Sequence, residues 1–277
     1  MQILTIAAVT ALLMLPGQEA AAEWIQKGMH GATAKAHKTE KKRWRELSAE
    51  MRELSAKDVR WGKERRPRGP RVVTLSTPYR TSDPRKVEIE WFFTYTRGWQ
   101  MGPSAWLERF LRAWHKSLPD KVYFKASPVG SMPGTANRYD EMHIAHQELA
   151  FASAAIGEGE RVHQAMRAWL SNRVRRQRLH RPHEVERFLE GLGVQLDRYR
   201  EAAASEAVRR RMHTTTAKLE AISKRAESVK RDANIPPRDP ILLINGRHLV
   251  QGSLAGGIRN TLRIANWIIR KELEGGR

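Results

Sequence analysis

Ten histidines are the residues of this chain that most directly suggest chemistry, because imidazole can bind a metal ion or transfer a proton. His143 and His146 are three residues apart, which would place both on one face of a helix. A metal site needs a further ligand at a suitable spacing, and neither such a ligand nor a His-Glu-x-x-His motif accompanies this pair. The spacing therefore favours a structural or solvent-exposed role for both histidines, and we predict no metal site.

Cysteine is absent from all 277 residues. Because the thiolate is the nucleophile of disulfide exchange and of cysteine proteases, both reactions are excluded, together with disulfide bonds and cysteine-ligated metals. The glycine-rich stretch Gly252–Gly257 lacks the Lys-Ser or Lys-Thr pair of a phosphate-binding loop, and no Gly-x-Ser-x-Gly motif is present. The sequence therefore predicts no cofactor.

The formal net charge of +20 is concentrated in residues 27–71 and 161–231, and the rest of the chain is nearly neutral. These two segments have helical patterns and would attract an anionic partner, such as lipid headgroups, an acidic protein or nucleic acid. A solvated basic surface without a dedicated partner explains the same composition.

Residues 1–22 are predicted to be a signal peptide. Ile3–Leu15 is an apolar run, followed by Pro16-Gly17 and by Ala20-Ala21-Ala22, which offers a cleavage site. The run is shorter than the about 20 apolar residues that a membrane-spanning helix needs, so we expect no transmembrane span in the mature chain. An N-terminal helix that is buried or interfacial and never removed is the alternative.

Residues 23–70 are predicted to form a basic helical extension, helical from Lys27 to Arg66. One apolar stripe runs along this helix and is formed by Trp44, Leu47, Met51, Leu54 and Trp61. The stripe is short for an autonomous coiled coil, so we expect it to dock on the body of the protein. Pro67, Gly69 and Pro70 end the helix.

The rest of the chain predicts strands at both ends and helices between them. The predicted strands are Arg71–Leu75, Lys86–Tyr95, Val122–Ser127, Ile241–Ile244 and His248–Val250, the last two joined by a two-residue turn at Asn245-Gly246. The second strand is nearly all β-branched and aromatic, as expected of a central strand that is covered on both faces. A helix opens at Pro103 before the third strand, and an amphipathic helix covers Ile258–Leu273.

Only helical patterns occur in residues 137–233. The predicted helices there are Tyr139–Ile156, Glu160–Leu170, Pro182–Leu189 and a last one from Asp197 to Asp232. The order β-α-β, helices, β-β-α predicts an α/β protein with a thioredoxin fold. Residues 71–136 and 234–277 would form the thioredoxin-like domain, and residues 137–233 an inserted all-helical domain.

Two motifs resemble those of the DsbA family of periplasmic thiol:disulfide oxidoreductases, and the resemblance covers most of residues 71–277. The stretch Trp91-Phe92-Phe93-Thr94-Tyr95-Thr96, followed by Arg97-Gly98-Trp99-Gln100, lies where that family has an aromatic strand and its Cys-Pro-His-Cys active site. The stretch from Asp239-Pro240 to Asn245-Gly246-Arg247 resembles the family's cis-proline strand and the hairpin that follows it.

The sequence departs from the family at the positions that carry its chemistry. Arg97 and Gln100 stand where the family has its two cysteines, and neither a guanidinium nor an amide can exchange a disulfide. Trp91 stands where catalytic members keep a buried carboxylate, which is consistent with a site that exchanges no proton. Asp239 precedes the proline, so a salt bridge between Arg97 and Asp239 is one expected arrangement, and two solvated side chains are the other.

The resemblance implies a groove that binds a polypeptide but catalyses no reaction on it. An extended peptide would add as a strand beside Pro240, with Tyr95, Trp99 and Trp106 as candidate apolar contacts. A purely structural role for the two tryptophans is the alternative. The predicted function is a noncatalytic protein of the bacterial periplasm that binds a protein or an extended peptide, in envelope or conjugative-transfer assembly.

Two other function classes stay open at this point. One is a thiol:disulfide oxidoreductase by ancestry, which turnover of insulin would favour. The other is a basic helical nucleic-acid-binding protein, which an intact N-terminus and an affinity that falls steeply with salt would favour. Nucleic acid is seldom available in the periplasm, so we expect a protein partner, with the basic helices able to contact an anionic surface.

Overall fold

The computed structural model of the protein describes residues 56–68, 72–95, 101–130, 140–171, 179, 181–229 and 241–275. The predicted signal peptide, and the first part of the predicted extension, lie outside these ranges. So do four residues of the predicted apolar stripe, Trp44, Leu47, Met51 and Leu54.

A five-stranded mixed sheet lies at the centre of the described part. Its strands are β1 (Val73–Thr74), β2 (Val87–Phe93), β3 (Val122–Pro128), β4 (Ile241–Ile244) and β5 (His248–Gln251), in the order β1-β5-β4-β2-β3. Strands β2 and β3 are parallel, and helix α1 (Met101–His115) connects them. The other strand pairs are antiparallel. The predicted β-α-β unit is therefore confirmed.

All seven residues of β2 are buried, as expected of a central strand that is covered on both faces. Successive side chains of a strand point to opposite faces of the sheet. Phe92 packs on one face in a cluster that includes Leu219 and Ile222. On the other face Trp91 stacks on Phe93, with 4.6 Å between the ring centroids. The sheet thus divides the core into two layers.

Five helices lie between β3 and β4 in the described part of this segment. They are α2 (Asp140–Ala155), α3 (Gly159–Ser171), α4 (Pro182–Gly191), α5 (Leu196–Ala204) and α6 (Glu206–Val229). The single helix predicted from Asp197 to Asp232 is wrong, because the chain breaks at Ser205. Ser205 is extended, and its hydroxyl donates to the carbonyl of Ala202 at 2.6 Å and accepts from the N–H of Val208 at 3.3 Å. It therefore caps the next helix instead of continuing the first.

The hairpin between β4 and β5 has a three-residue turn, so the predicted two-residue turn is wrong. Ile244 pairs with His248, which leaves Asn245, Gly246 and Arg247 in the turn. Asn245 and Gly246 both have positive φ, at 52° and 63°, as the Asn-Gly pair predicts. The additional residue, Arg247, donates its N–H to the carbonyl of Ile244 at 3.0 Å.

Two helices follow the hairpin. The short α7 (Gly252–Ala255) was not predicted, and α8 (Ile258–Gly275) confirms the predicted amphipathic helix. The order of elements confirms the predicted α/β class, a thioredoxin fold with a helical insertion. None of the helices in the described residues combines the length and the apolar composition that crossing a membrane requires.

Residues 56–68 are not the end of a regular helix, so the predicted helix to Arg66 is wrong over this stretch. Only Ala56–Asp58 is helical, as a 3-10 turn, and Gly62 has a φ of 85° that breaks helical geometry. We call residues 56–68 the docking segment, because they pack against α1 and α8. Val59 is buried, and the N–H of Trp61 donates to the Ser117 hydroxyl at 3.0 Å.

Asn266 on α8 holds the docking segment through its amide group. Its Nδ2 donates to the carbonyls of Val59, Arg60 and Lys63 at 3.0, 3.0 and 2.9 Å. Its Oδ1 accepts from the indole N–H of Trp114 at 2.8 Å. Three carbonyls of the docking segment are thus bonded to a side chain far away in the chain, and this stabilises the non-helical conformation that Gly62 introduces.

Candidate functional site

The two segments predicted to form the degenerate active site, residues 97–100 and 239–240, lie outside the described residues. The strand ends next to them in the chain are described. Phe92 pairs with Ile241, so the carboxyl end of β2 and the amino end of β4 are neighbours at one end of the sheet. The contact between Arg97 and Asp239 stays a prediction.

Of the three aromatic residues predicted to line a groove, only Tyr95 has a described side chain. Trp99 lies outside the described residues. Trp106 is part of helix α1, but only its backbone is among the described features. Tyr95 is 7% exposed, and its ring meets the rings of Phe93 and His163 at centroid distances of 5.1 and 5.4 Å. Most of the Tyr95 side chain is therefore engaged within the protein.

The Tyr95 hydroxyl begins a chain of partly buried hydrogen bonds. Its Oη lies 2.6 Å from Nδ1 of His163, and Nε2 of His163 lies 2.7 Å from Oε1 of Glu108. An ionised carboxylate can only accept, so Nε2 of His163 carries the proton and Nδ1 accepts from the tyrosine. The three residues come from three places, the end of β2, helix α3 and helix α1.

Two arginines complete this group, which we call the His163 network. Arg112 donates from Nε to Glu108 at 2.8 Å and from its terminal nitrogens to Glu160 at 3.0 and 3.3 Å. Arg167 forms an ion pair with the other oxygen of Glu108. Each carboxylate in the network therefore has a guanidinium partner.

The His163 network keeps its imidazole neutral and its phenol protonated. Burial is the main reason that the pKa of His163 falls to about 4, Arg112 lowers it further, and Glu160 partly opposes them. Burial also raises the pKa of Tyr95. A neutral imidazole between a phenol and a carboxylate holds these groups in place, and only 11% of the His163 side chain is exposed.

A second buried carboxylate, Glu90, lies on the opposite face of β2. Lys218 and Lys125 approach it at 2.5 and 3.1 Å, and the Ser127 hydroxyl donates to it at 2.6 Å. Burial raises the pKa of Glu90, but the two lysines and the hydrogen bonds from Lys218 and Ser127 outweigh burial and leave it below its ordinary value. Glu90 is thus charged and paired at neutral pH.

Glu90 bears on the interpretation of Trp91 as the residue that replaces a buried carboxylate. Trp91 is buried, as an apolar replacement should be, yet the residue before it supplies a buried carboxylate to the same strand. Its charge is compensated by lysines from α6 and β3. The strand therefore keeps a buried acid that the sequence interpretation did not assign.

His143 and His146 are both buried on α2, which agrees with the structural role and not with the solvent-exposed role that the prediction left open. The ring of His146 meets the ring of Tyr95 edge-on, with 6.0 Å between the centroids. Within the described ranges, no group of three or more metal-binding side chains is close enough to hold a metal ion.

Part of the predicted basic surface is neutralised locally. Arg200 pairs with Glu186 and Asp197, and Arg209 and Arg210 lie near Glu206. These are exposed pairs, which contribute little to stability but reduce the positive field outside the helices. The basic surface formed by the described part of residues 161–231 is therefore less cationic than its arginine content indicates.

Comparison with known proteins gives one consistent result, although no protein-family model matches the chain. The thiol:disulfide interchange protein DsbA of Azotobacter vinelandii is 26% identical over 228 residues, covering 82% of this chain and 90% of the relative. DsbA of Pseudomonas aeruginosa is 25% identical over 205 residues, covering 74% of this chain and 84% of the relative.

Solved structures show the same fold. The crystal structure of Pseudomonas aeruginosa DsbA matches with a TM-score of 0.57 at 22% identity, over 74% of this chain and 94% of that one. The oxidoreductase DsbA of Xylella fastidiosa matches with a TM-score of 0.52 at 22% identity, over 69% and 88%. Fold, element order and relatives agree, and the chain is a DsbA-like protein of the thioredoxin fold that has no cysteine.

Proposed function

We propose that this chain is a noncatalytic binding protein, which uses a DsbA-like scaffold to hold a protein or an extended peptide without reacting with it. The observation that carries the proposal is the absence of cysteine from all 277 residues. Disulfide exchange needs one thiolate to attack and a second thiol to release the mixed disulfide. Neither group exists in this chain, although its relatives are named for that reaction.

Binding is the property that a scaffold can keep after its thiols are lost. The neighbouring ends of β2 and β4 support a site at this end of the sheet, because both predicted segments join the chain there. An extended peptide beside Pro240 would add as a strand, with main-chain hydrogen bonds for affinity and the tryptophans Trp99 and Trp106 for apolar contact. The His163 network lies next to this end of the sheet and supports it from within.

The proposed location is the bacterial periplasm, with residues 1–22 as the export signal. The proposed role there is assembly of the envelope or of a conjugative-transfer machine, by analogy with cysteine-less thioredoxin-like proteins. The remaining basic surface would then contact an acidic partner or an anionic membrane surface. Sequencing the N-terminus of the mature protein tests the location directly, since an intact Met1 would contradict cleavage.

The binding claim is tested with a reduced and carboxymethylated polypeptide, which is unfolded and carries no free thiol. We expect saturable binding to the full chain, and Trp99→Ala should weaken it by about tenfold or more, which is the loss expected for an aromatic anchor. Tyr123→Ser is the matched control, because Tyr123 is an aromatic residue on β3 that is 43% exposed. It should leave the affinity unchanged.

Two results would contradict the proposal. One is the absence of any binding by the folded chain at concentrations up to the millimolar range. The other is an equal loss of affinity in both variants, which would show that exposed aromatic surface, and not the predicted groove, binds the polypeptide.

A further inference from the structure

The charges of the His163 network balance only while its imidazole is neutral. Two carboxylates, Glu108 and Glu160, are paired with two guanidinium groups, Arg112 and Arg167. His163 lies against Glu108, and 11% of its side chain is exposed. A proton added to His163 would leave one uncompensated positive charge among these groups, and it would lie at their less exposed end, where His163 and Glu108 are 11% and 7% exposed and such a charge is costly.

Protonation would also reverse a hydrogen bond. In the neutral ring Nδ1 accepts from the Tyr95 hydroxyl, because Nε2 donates to Glu108. A proton on Nδ1 makes this nitrogen a donor, so the hydroxyl would have to turn its own hydrogen elsewhere. Among the residues that the structure describes, the Tyr95 hydroxyl has His163 as its hydrogen-bond partner and no second acceptor. The protonated state therefore loses both charge balance and one partly buried hydrogen bond.

The network joins elements that are far apart in the chain. Tyr95 follows β2, and His163 is on α3, 68 residues later. Glu108 and Arg112 face the imidazole from α1, and Glu160 and Arg167 lie on its own helix. His146 on α2 faces the Tyr95 ring, and Phe93 meets the imidazole edge-on at 5.9 Å.

We infer that Tyr95, His163 and Glu108 form a proton-operated latch, which ties helix α3 to the end of β2 while His163 is neutral and releases it when His163 is protonated. The latch acts where the chain enters the predicted site, so it would regulate the proposed binding. That consequence rests on the proposed function, whereas the latch itself does not.

The pKa of about 4 supports the direction of this switch, because the ordinary value for histidine is 6.5. When the latch is open, the His163 imidazole has its ordinary pKa and takes up a proton below pH 6.5. Protonation therefore shifts the equilibrium towards the open state. Between pH 7.5 and pH 5.0 the opening equilibrium constant should rise about 30-fold. Below about pH 4 no further change comes from His163, since both states are then protonated.

Hydrogen exchange of the full chain at pH 7.5 and pH 5.0, corrected for the intrinsic exchange rate, measures the opening directly. In the wild type we expect the protection of residues 159–167 to fall about 30-fold. Residues 206–225 of α6 should keep their protection. His163→Gln is the matched variant, since its amide can donate to Glu108 and accept from Tyr95 but does not titrate. The same segment in this variant should not respond to pH.

A pH-independent protection of residues 159–167 in the wild type would overturn the latch, and so would an equal response in His163→Gln. A nuclear magnetic resonance titration of His163 in the wild type needs no variant. A pKa near 4 supports the latch, and a pKa near 6.5 overturns it. Because all of these measurements are made without a partner, their failure is distinct from failure of the binding proposal.

Discussion

Replacing Asn266 by alanine should release the docking segment from α8 and lower the free energy of unfolding substantially. Asn266 is fully buried, and its amide bonds to one indole and three carbonyl groups. Its two N–H hydrogens serve three carbonyls, so at least one hydrogen is shared. The alanine variant would leave all four partner groups without their side-chain bond.

The magnitude follows from which of these groups can bind water instead. The indole N–H of Trp114 and the carbonyl of Val59 are buried, and each costs about 1–3 kcal/mol when it is left unpaired. The carbonyls of Arg60 and Lys63 are partly exposed, so each should cost only about 0.5–1 kcal/mol. These contributions are not strictly additive, and we expect a total loss of about 3–5 kcal/mol.

Urea unfolding followed by tryptophan fluorescence measures this loss, and limited digestion with trypsin locates it. Cleavage after Arg60 and Lys63 should become faster in Asn266→Ala. Asn260→Ala is the matched control, because Asn260 is on the same helix and accepts one bond from Arg65 at 2.7 Å. It should cost less than about 1 kcal/mol. Equal and small losses in both variants would refute the assignment of Asn266 as the group that holds the docking segment.

Four further variants test the buried charge of Glu90 and two glycines with positive φ. Glu90→Gln should lower the free energy of unfolding by about 3 kcal/mol, because it leaves the Lys218 ammonium next to an uncharged group. Glu90→Leu combined with Lys218→Met removes both charges and should lower the free energy of unfolding by less than the single change. The pKa of Glu90 lies below its ordinary 4.5, so its stabilisation is present at neutral pH and lost as the pH falls through its folded value, which a urea titration from pH 7 to pH 3 would show. Gly246→Ala should cost about 2 kcal/mol or more, because a Cβ there meets the Tyr79 carbonyl at a positive φ. Gly256→Ala shares the positive φ without the collision and should cost about 1 kcal/mol, so equal losses at the two glycines would contradict this reasoning.

The strands and most helices were predictable because their signals are local. The run Val87–Phe93 is β-branched or aromatic at every position except Glu88 and Glu90, and it forms the buried central strand. Pro182 and Gly191 mark the two ends of α4, because proline is favoured at the start of a helix and glycine at its end. The break at Ser205 also has a local signal, since serine is a preferred N-cap residue and an acid such as Glu206 is favoured in the first turn of a helix.

The docking segment was not predictable, because its conformation depends on a residue about 200 positions away. Apart from Gly62, the stretch from Ala56 to Arg66 has helix-forming composition, and nothing nearby indicates that its carbonyls bond to Asn266. The sequence separation of the bond from Asn266 to Val59 is 207 residues. Tertiary contacts of this kind override local helix propensity.

The candidate site was predictable only in part, for the same reason. The missing thiols are a property of the sequence, but the His163 network joins residues 55 and 68 positions apart. Glu90 was missed because an acid within an apolar strand gives no sign of its partner. Lys218 lies 128 residues later, on a helix whose predicted start was wrong.

The central claim is that a DsbA-like scaffold persists here without the thiols that make its relatives react. Restoring the thiols tests this most directly, by comparing the wild type with Arg97→Cys combined with Gln100→Cys in the reduction of insulin by dithiothreitol. We expect the wild type to match the rate of the reagent alone and the double variant to exceed it. Turnover by the wild type, or a correctly folded double variant with no disulfide exchange, would contradict the account.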